Sequence, residues 1–333
     1  MKIQNFNTKK KILLIAEIGN NHEGNFKVAK KLILLAKKNG ADAVKFQYIT
    51  PHKLYAKNDK KNINKLNKIC LNINEFKKLK KYADELKIIF LCSVFDFTNL
   101  KEFYRYLPAV KVPSGDNNNL KIIKELLSLK KPILFSTGMT NLIILKKILK
   151  EINKNKFFNK KNFCLMHCVS SYPLLDSDVN MNALTSLKKL GYEIGYSDHT
   201  IGIDACIVAA SMGARVIEKH FTLSHNYSSF RDHQLSANPK ELSDLSKKLT
   251  RINNIRGTDS KIITRNELKN IKSFRRGAYA SSNLSIGKKI DYSDITFLRP
   301  EGEINLMNIK NLIGKKLKNK LHKFQEIKKQ YFK

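Results

Sequence analysis

Two histidines, His199 in GYSDHT (195–200) and His220 in VIEKHFTL (216–223), each close a short apolar run beside an acid and a hydroxyl. Neutral imidazoles brought together can bind a divalent metal. Without a firm third protein ligand, such a site stays open to water or substrate. The alternative is a pair of structural histidines near a helix N-terminus. Other polar residues end similar runs: Glu17, Lys45 with Gln47, Ser93, Lys111 with Ser114, Ser136, His167, Ser197 and Glu218. Lysine supplies point charge and serine directional donors, a common way to hold phosphate or carboxylate. PSGDNNN (113–119) and STGMTN (136–141) place small residues just before helical patterns, where backbone N–H groups can also hold an oxyanion. Each residue alone reads as a solvated loop residue or a hydrogen-bonded structural one. The set is more specific if one mouth gathers it, and it predicts an enzyme using a metal and a phosphorylated anionic substrate.

The elements that would do the gathering are eight short apolar runs: 12–19, 43–47, 88–93, 109–115, 132–139, 163–168, 192–198 and 215–221. They hardly alternate and are rich in Ile, Val and Phe, as strands buried on both faces are. Helical patterns lie between them. Asn25 caps one with Val28, Ala29, Leu32, Leu35 and Ala36 on one face, and Asn39-Gly40 ends it. Asn74 is the expected cap of a second, with Phe76, Leu79, Ala83 and Leu86 inward. Segments 118–131, 140–154, 181–191 and 203–214 continue the alternation, the last apolar on most sides. Eight strand-then-helix units predict an α/β fold of the closed (β/α)8 TIM-barrel type, whose chemistry sits at the carboxyl ends of the strands. An open doubly wound sheet would usually carry a GxGxxG turn after its first strand, and GNNHEGN is not one. The expected division is a barrel over 1–255, a linker over 256–273 and a small domain of little helix over 274–333.

The 333 residues carry 63 Lys and Arg against 28 Asp and Glu, a formal net charge of +35. That balance raises nucleic acid as a partner. The basic residues are spread over nearly every predicted helix, with no clustered basic-aromatic stripe, so they read as solvated helix faces, and neither nucleic acid nor membrane is expected as a partner. Hydrophobic residues make up 42%, enough for a sizeable core. Five cysteines with no CxxC pair suggest a reducing compartment without disulfides, and the start of the chain does not read as a signal peptide. No run of about 18 apolar residues occurs, so a cytoplasmic location is expected.

AEIGNNHEGN, GADAVKFQ, KVPSGDNNN, ILFSTGM, HCVSSYP, GYSDHTIG, VIEKHFTL and DHQLSANP appear in order. Together they resemble the sialic acid synthase family, the N-acetylneuraminate synthases with their legionaminate and pseudaminate relatives. The tail, ASSNLSIGKKIDYSDITFLRPEGEI followed by NLIGKKL, resembles that family's C-terminal antifreeze-like (SAF) domain. The resemblance covers roughly residues 12–330. It implies condensation of phosphoenolpyruvate with the open-chain aldehyde of an N-acylmannosamine-type sugar, giving a nine-carbon 2-keto acid and phosphate. By the same resemblance, His199 and His220 bind a divalent ion, Mn2+ in preference to Mg2+. Glu17 handles protons as the catalytic acid/base. Lys45, Ser93, Lys111, Ser114, Ser136, Ser170 and Ser197 contact phosphoenolpyruvate. Tyr172, Asp232 and Arg299 contact the sugar, Arg299 across a domain-swapped homodimer.

The chain also departs from that pattern. Ser170 stands where some members have Asn, Asp116 where Glu is usual, and Phe230-Arg231 where Gly and Pro usually precede the Asp. The loop 51–72 diverges most. A competing reading is a Schiff-base aldolase on the same barrel, with Lys45 or Lys111 as nucleophile. A nucleic-acid-binding protein driven by the charge ranks last.

Overall fold

A computed structural model describes residues 1–95, 100–230 and 232–333. The chain divides into two compact units, Met1–Gly257 and Thr258–Lys333.

The first unit begins with a two-stranded hairpin, β1 (Lys2–Ile3) and β2 (Phe6–Asn7). Eight parallel strands then close into a barrel: β3 (Leu13–Gly19), β4 (Ala43–Tyr48), β5 (Ile89–Val94), β6 (Val110–Val112), β7 (Ile133–Ser136), β8 (Phe163–Cys168), β9 (Glu193–Asp198) and β10 (Val216–His220). Each falls on one of the eight apolar runs. Closure joins β10 to β3 in parallel register, Val216 beside Leu13 and His220 beside Glu17.

Because strand side chains alternate between faces, the barrel interior takes every second residue. Its lower layers are apolar: Leu13, Ile15, Ala43, Ile89, Leu91, Leu134, Cys164, Met166 and Val216, with Met1 and Ile3 of the hairpin packed among them. The same alternation, continued towards the carboxyl ends, delivers Glu17, Lys45, Ser93, Lys111, Ser136, Ser197 and Glu218, all buried. The outward residues join the helices in a larger core that includes Phe46, Phe90, Phe135, Ile194 and Ile217.

The helices follow the apolar periodicity. Phe26–Lys38 is capped by the Asn25 side chain and buries Ala29, Leu32, Ile33 and Ala36. The expected cap Asn74 is corrected: Asn72 caps Ile73–Glu85, because Glu75 reaches back to its backbone and completes a capping box. Phe76, Leu79 and Ala83 face inward there as expected. Asp204–Ser211 is covered on its Cys206, Ala209 and Ala210 side, whereas Val208 is exposed. The divergent loop forms two short helices, Pro51–Leu54 and Lys60–Asn67. Helix Pro239–Arg256 is additional to the predicted set; Asn238 and Glu241 close its capping box. The five cysteines are free, four of them buried. No helix among the described residues is long and apolar enough to cross a membrane.

The second unit starts at Thr258, and helix Arg265–Phe274 occupies the latter half of the segment expected as a linker. The rest is mostly turns around one antiparallel pair, β11 (Gly277–Ala280) and β12 (Ile295–Leu298). Its own core includes Ala278, Leu284, Ile290, Leu312, Leu321, Ile327 and Phe332.

Candidate active site

Four ionisable residues from four strands meet inside the barrel below its mouth. Lys45 Nζ lies 2.9 Å from Glu17 Oε1 and 3.6 Å from Glu218 Oε1. Lys111 Nζ lies 3.2 Å from both oxygens of Glu218. The Ser197 hydroxyl donates to Glu218 Oε1 at 2.9 Å, and Lys45 donates to the Ser93 hydroxyl at 3.2 Å. Buried charges cost several kcal/mol each unless paired, so this alternation of two cations and two carboxylates is what allows them to share the interior. Glu218 is the hub. The motif VIEKHFTL places it at a strand end, but its role follows only from register, since it faces inward between Lys45, Lys111 and Ser197.

The two carboxylates differ in environment. Burial raises Glu218, but the lysines and Ser197 outweigh it and hold the group down to about 2. Burial raises Glu17, and with the nearby Glu218 it outweighs the Lys45 ammonium, so Glu17 stays above the usual carboxylate range. Two carboxyls pushed apart in this way divide into a fixed anion and a group suited to proton transfer. Gln47 Nε2 donates to Glu17 Oε1 at 3.1 Å, while Oε2 is buried with no protein partner. The backbone bulges between Glu17 and Gly19, where the ladder to β4 shifts register. Bulges re-aim side chains in this manner beside active sites.

Burial lowers the Lys45 ammonium, but Glu17 and Glu218 more than compensate and raise it. Lys111 is ion-paired to both Glu218 oxygens. A Schiff-base nucleophile must be a neutral amine, so this setting opposes the aldolase alternative.

Ser114, Ser136 and Ser170 gather at one side of the mouth. The Ser114 and Ser170 hydroxyls converge on Gly138: a Cβ there would lie 2.5 Å from Ser114 Oγ and 2.7 Å from Ser170 Oγ. Asn117 holds this turn from below, its Nδ2 donating to Gly138 O at 2.7 Å and to Ser136 O at 3.3 Å. PSGDNNN contains Asn117, yet no spacing rule marks it. Asp116, in the turn Ser114–Asp116, is raised by burial, and its Oδ2 has no partner. A cavity of about 940 Å³ adjoins this side, lined in part by Thr137, Met139, Cys168 and Ser170.

His199 and His220 face each other with ring centroids 5.4 Å apart, and Tyr172 lies 4.1 Å from His199 and 6.2 Å from His220. His199 Nδ1 is 2.7 Å from Val169 O, so its N–H donates there and, in the neutral ring, Nε2 keeps a lone pair. An imidazole anchored in that way is how metal-ligating histidines are oriented. Burial and the His199 charge lower His220 well below its ordinary value, and its Nδ1 is buried without a partner. His220 is thus held neutral, and His199, on losing its Nε2 proton, would offer a cation the second nitrogen. Burial lowers His199, but Cys168 outweighs it and the imidazole is raised; the Cys168 thiol is correspondingly lowered. Among the described residues, no three or more His, Cys, Asp and Glu side chains form a metal-like cluster. A cation here would need water or substrate to complete its shell. On the outer face, Lys219 Nζ donates to Asp198 Oδ2 at 2.7 Å and to Thr200 O, with both side chains fully buried. This ties the two histidine-bearing strand ends together.

His167 is committed to Val179 O through Nε2 at 2.8 Å. Asp232 begins the turn Asp232–Leu235. Arg231 lies outside the described residues. Arg299 belongs to the second unit, where its guanidinium is 5.8 Å from the Phe274 ring centroid.

A closed parallel barrel with buried lysines, carboxylates and an imidazole pair at its carboxyl end defines an enzyme fold of the anionic-substrate type. Residues 32–261 match the NeuB family, and the chain belongs to it. It is 36% identical to N,N'-diacetyllegionaminic acid synthase of Campylobacter jejuni, over 92% of this chain and 96% of that protein. It is 30% identical to human N-acetylneuraminate-9-phosphate synthase, over 91% of this chain and 88% of that one. Among solved structures it is similar to an N-acetylneuraminic acid (sialic acid) synthetase from Leptospira borgpetersenii in complex with citrate. The TM-score is 0.75 at 29% identity, covering 81% of this chain and 94% of the other.

Proposed function

We propose that this protein is a nonulosonic acid synthase that condenses phosphoenolpyruvate with the aldehyde of an N-acylmannosamine-type sugar. The buried network of Lys45, Lys111, Glu17 and Glu218 beneath the histidine pair is the observation that carries the reading. C3 of phosphoenolpyruvate forms a bond to the aldehyde carbon, water adds at C2, and the C2–O bond to phosphate then breaks. The products are a nine-carbon 2-keto acid and inorganic phosphate.

Lys45 and Lys111 attract the phosphate and carboxylate, and Ser93, Ser136, Ser197 and the Ser114–Ser170 cradle orient them. Glu17, whose Oε2 has no protein partner, would carry the proton to the aldehyde oxygen or take it from the attacking water. His199 and His220 would hold a divalent ion, Mn2+ in preference to Mg2+, which supplies Lewis acidity at the aldehyde oxygen. Tyr172 and Asp232 contact the sugar. The tail acts as an antifreeze-like domain whose Arg299 reaches the sugar of the partner protomer in a domain-swapped homodimer.

The test is phosphate release from phosphoenolpyruvate with Mn2+, supplying N-acetylmannosamine or 2,4-diacetamido-2,4,6-trideoxymannose, with EDTA controls. Metal-dependent release with one sugar is expected. Borohydride trapping of a pyruvate adduct on lysine, without metal-dependent release, would replace this reading by the aldolase.

A further inference from the structure

The segment after β10 runs from His220 through Asp232 to the cap of helix Pro239–Arg256, and it is held from a different strand. The turn after β3, Asn20 to Glu23, grips it by side chains. Asn21 Nδ2 donates to Phe221 O and to Ser236 Oγ, each at 2.9 Å. Ser236 in turn donates to Asp232 O. Glu23 Oε1 accepts from Ser228 Oγ at 2.7 Å and from His233 Nε2 at 2.9 Å. His233 is fully buried, with Thr222 Oγ1 2.7 Å from Nδ1 and the rings of Tyr227 and Phe230 packed edge-on against it. Glu23 holds a left-handed backbone at φ 47° to reach this position.

Hydrogen bonds to an ionised group are about twice as strong as neutral ones, and one carboxylate here receives two donors from the same segment. The grip falls on residues that flank Asp232 on both sides. The grip itself uses two groups of the turn, Asn21 Nδ2 and Glu23 Oε1, whereas Asn20 of the same turn donates to Gln47 Oε1 at 3.4 Å, and Gln47 in turn donates to Glu17.

We infer that Glu23, assisted by Asn21, is a positioning residue for the acceptor sugar: it clamps the 221–236 segment so that Asp232 is presented at a fixed place above the barrel. This rests on the proposed condensation for the identity of the ligand but not for the clamp itself. The acceptor side of the site is thus governed from the strand that also carries Glu17.

The experiment compares wild type with Glu23→Ala, Glu23→Gln and Ser228→Ala. For Glu23→Ala, KM for the sugar should rise on the order of tenfold or more while KM for phosphoenolpyruvate stays within about twofold. Glu23→Gln keeps an acceptor oxygen and should recover part of the loss, and Ser228→Ala should show a smaller rise. Equal changes in both KM values, or a fall in kcat alone, would overturn the inference, because a general structural defect does not distinguish the substrates. Hydrogen exchange of the same proteins reads the clamp without activity. Amides of 222–230 and 233–236 should exchange about tenfold faster in Glu23→Ala, and unchanged protection would overturn it. If wild type releases no phosphate with either sugar, the proposed condensation fails, and exchange still decides whether the clamp exists.

Discussion

Replacing Glu218 by Gln removes one charge and almost no volume, which makes it a direct probe of the network in the barrel. Glu218 is 4% exposed and accepts from Lys111 through both oxygens, from Ser197, and at longer range from Lys45. Lys45 keeps Glu17 at 2.9 Å. Lys111 keeps no carboxylate among the described residues, only the Met166 sulfur at 3.9 Å. Removing one partner of a buried pair costs about 3–5 kcal/mol, because the remaining charge is left without compensation. For a unit of this size each kcal/mol moves Tm by about 2–4 °C, so the expected loss is roughly 6–20 °C. A substrate dianion should restore part of it, since two ammonium groups then lack their shared carboxylate. The assay is a thermal melt of both proteins with and without phosphoenolpyruvate. The variant should melt lower and gain more from the ligand than wild type does. A variant melting within about 2 °C of wild type would show that water already screens the lysines. An equal or smaller ligand shift would show that the anion does not approach them.

Three further outcomes are expected. His199→Ala and His220→Ala should each weaken Mn2+ binding by more than about a hundredfold in a titration of free Mn2+ by electron paramagnetic resonance, whereas His167→Asn, at a ring committed to Val179 O, should bind as wild type does. Gly138→Ala should raise the dissociation constant of phosphoenolpyruvate about tenfold by calorimetry, since the new methyl displaces the Ser114 and Ser170 hydroxyls; an unchanged constant would remove the cradle from the site. His22 is lowered by burial to about 4, so the unfolded chain takes up its proton near pH 6.5 while the folded chain resists. Its contribution therefore falls as pH drops from 6.5 towards 4, by up to about 3 kcal/mol. Urea melts at pH 7 and pH 4.5 should show His22→Asn, which keeps an acceptor for Gly24 N–H, losing less stability than wild type.

The barrel is legible because the strands are short, mostly apolar runs and most of the helices between them bury a 3.6-residue apolar face. The misplaced cap is instructive. LNINEF contains two candidate asparagines, and only Asn72 stands three residues before a glutamate. The same signal, Asn238 with Glu241, marks the helix that periodicity left out. The candidate site was legible as a set of strand-end residues, and burial confirms that Glu17, Lys45, Ser93, Lys111, Ser136, Ser197, His199 and His220 are enclosed. Glu218 shows the limit. Its position was visible, but its role depends on which way it faces, and a shift of one residue would have turned it outward. The Glu23–His233 contact spans 210 residues and follows no local pattern.

Closure of the barrel sets Glu17 and His220 side by side, joined by a hydrogen bond from Phe221 N to Glu17 O. Their separation of about 200 positions has a consequence during synthesis. While the ribosome is still making the middle of the chain, Glu17 and both lysines exist, but neither His220 nor the Glu218 that pairs with Lys111 has been made. The nascent chain thus has no complete cation site, and Lys111 has yet to receive its carboxylate partner, while Lys45 already has Glu17. Non-local contacts of this kind form late and slow folding. The last strand acts as a latch: the step that finishes the shell is the step that creates the catalyst, and a half-made barrel is held inactive by its own topology.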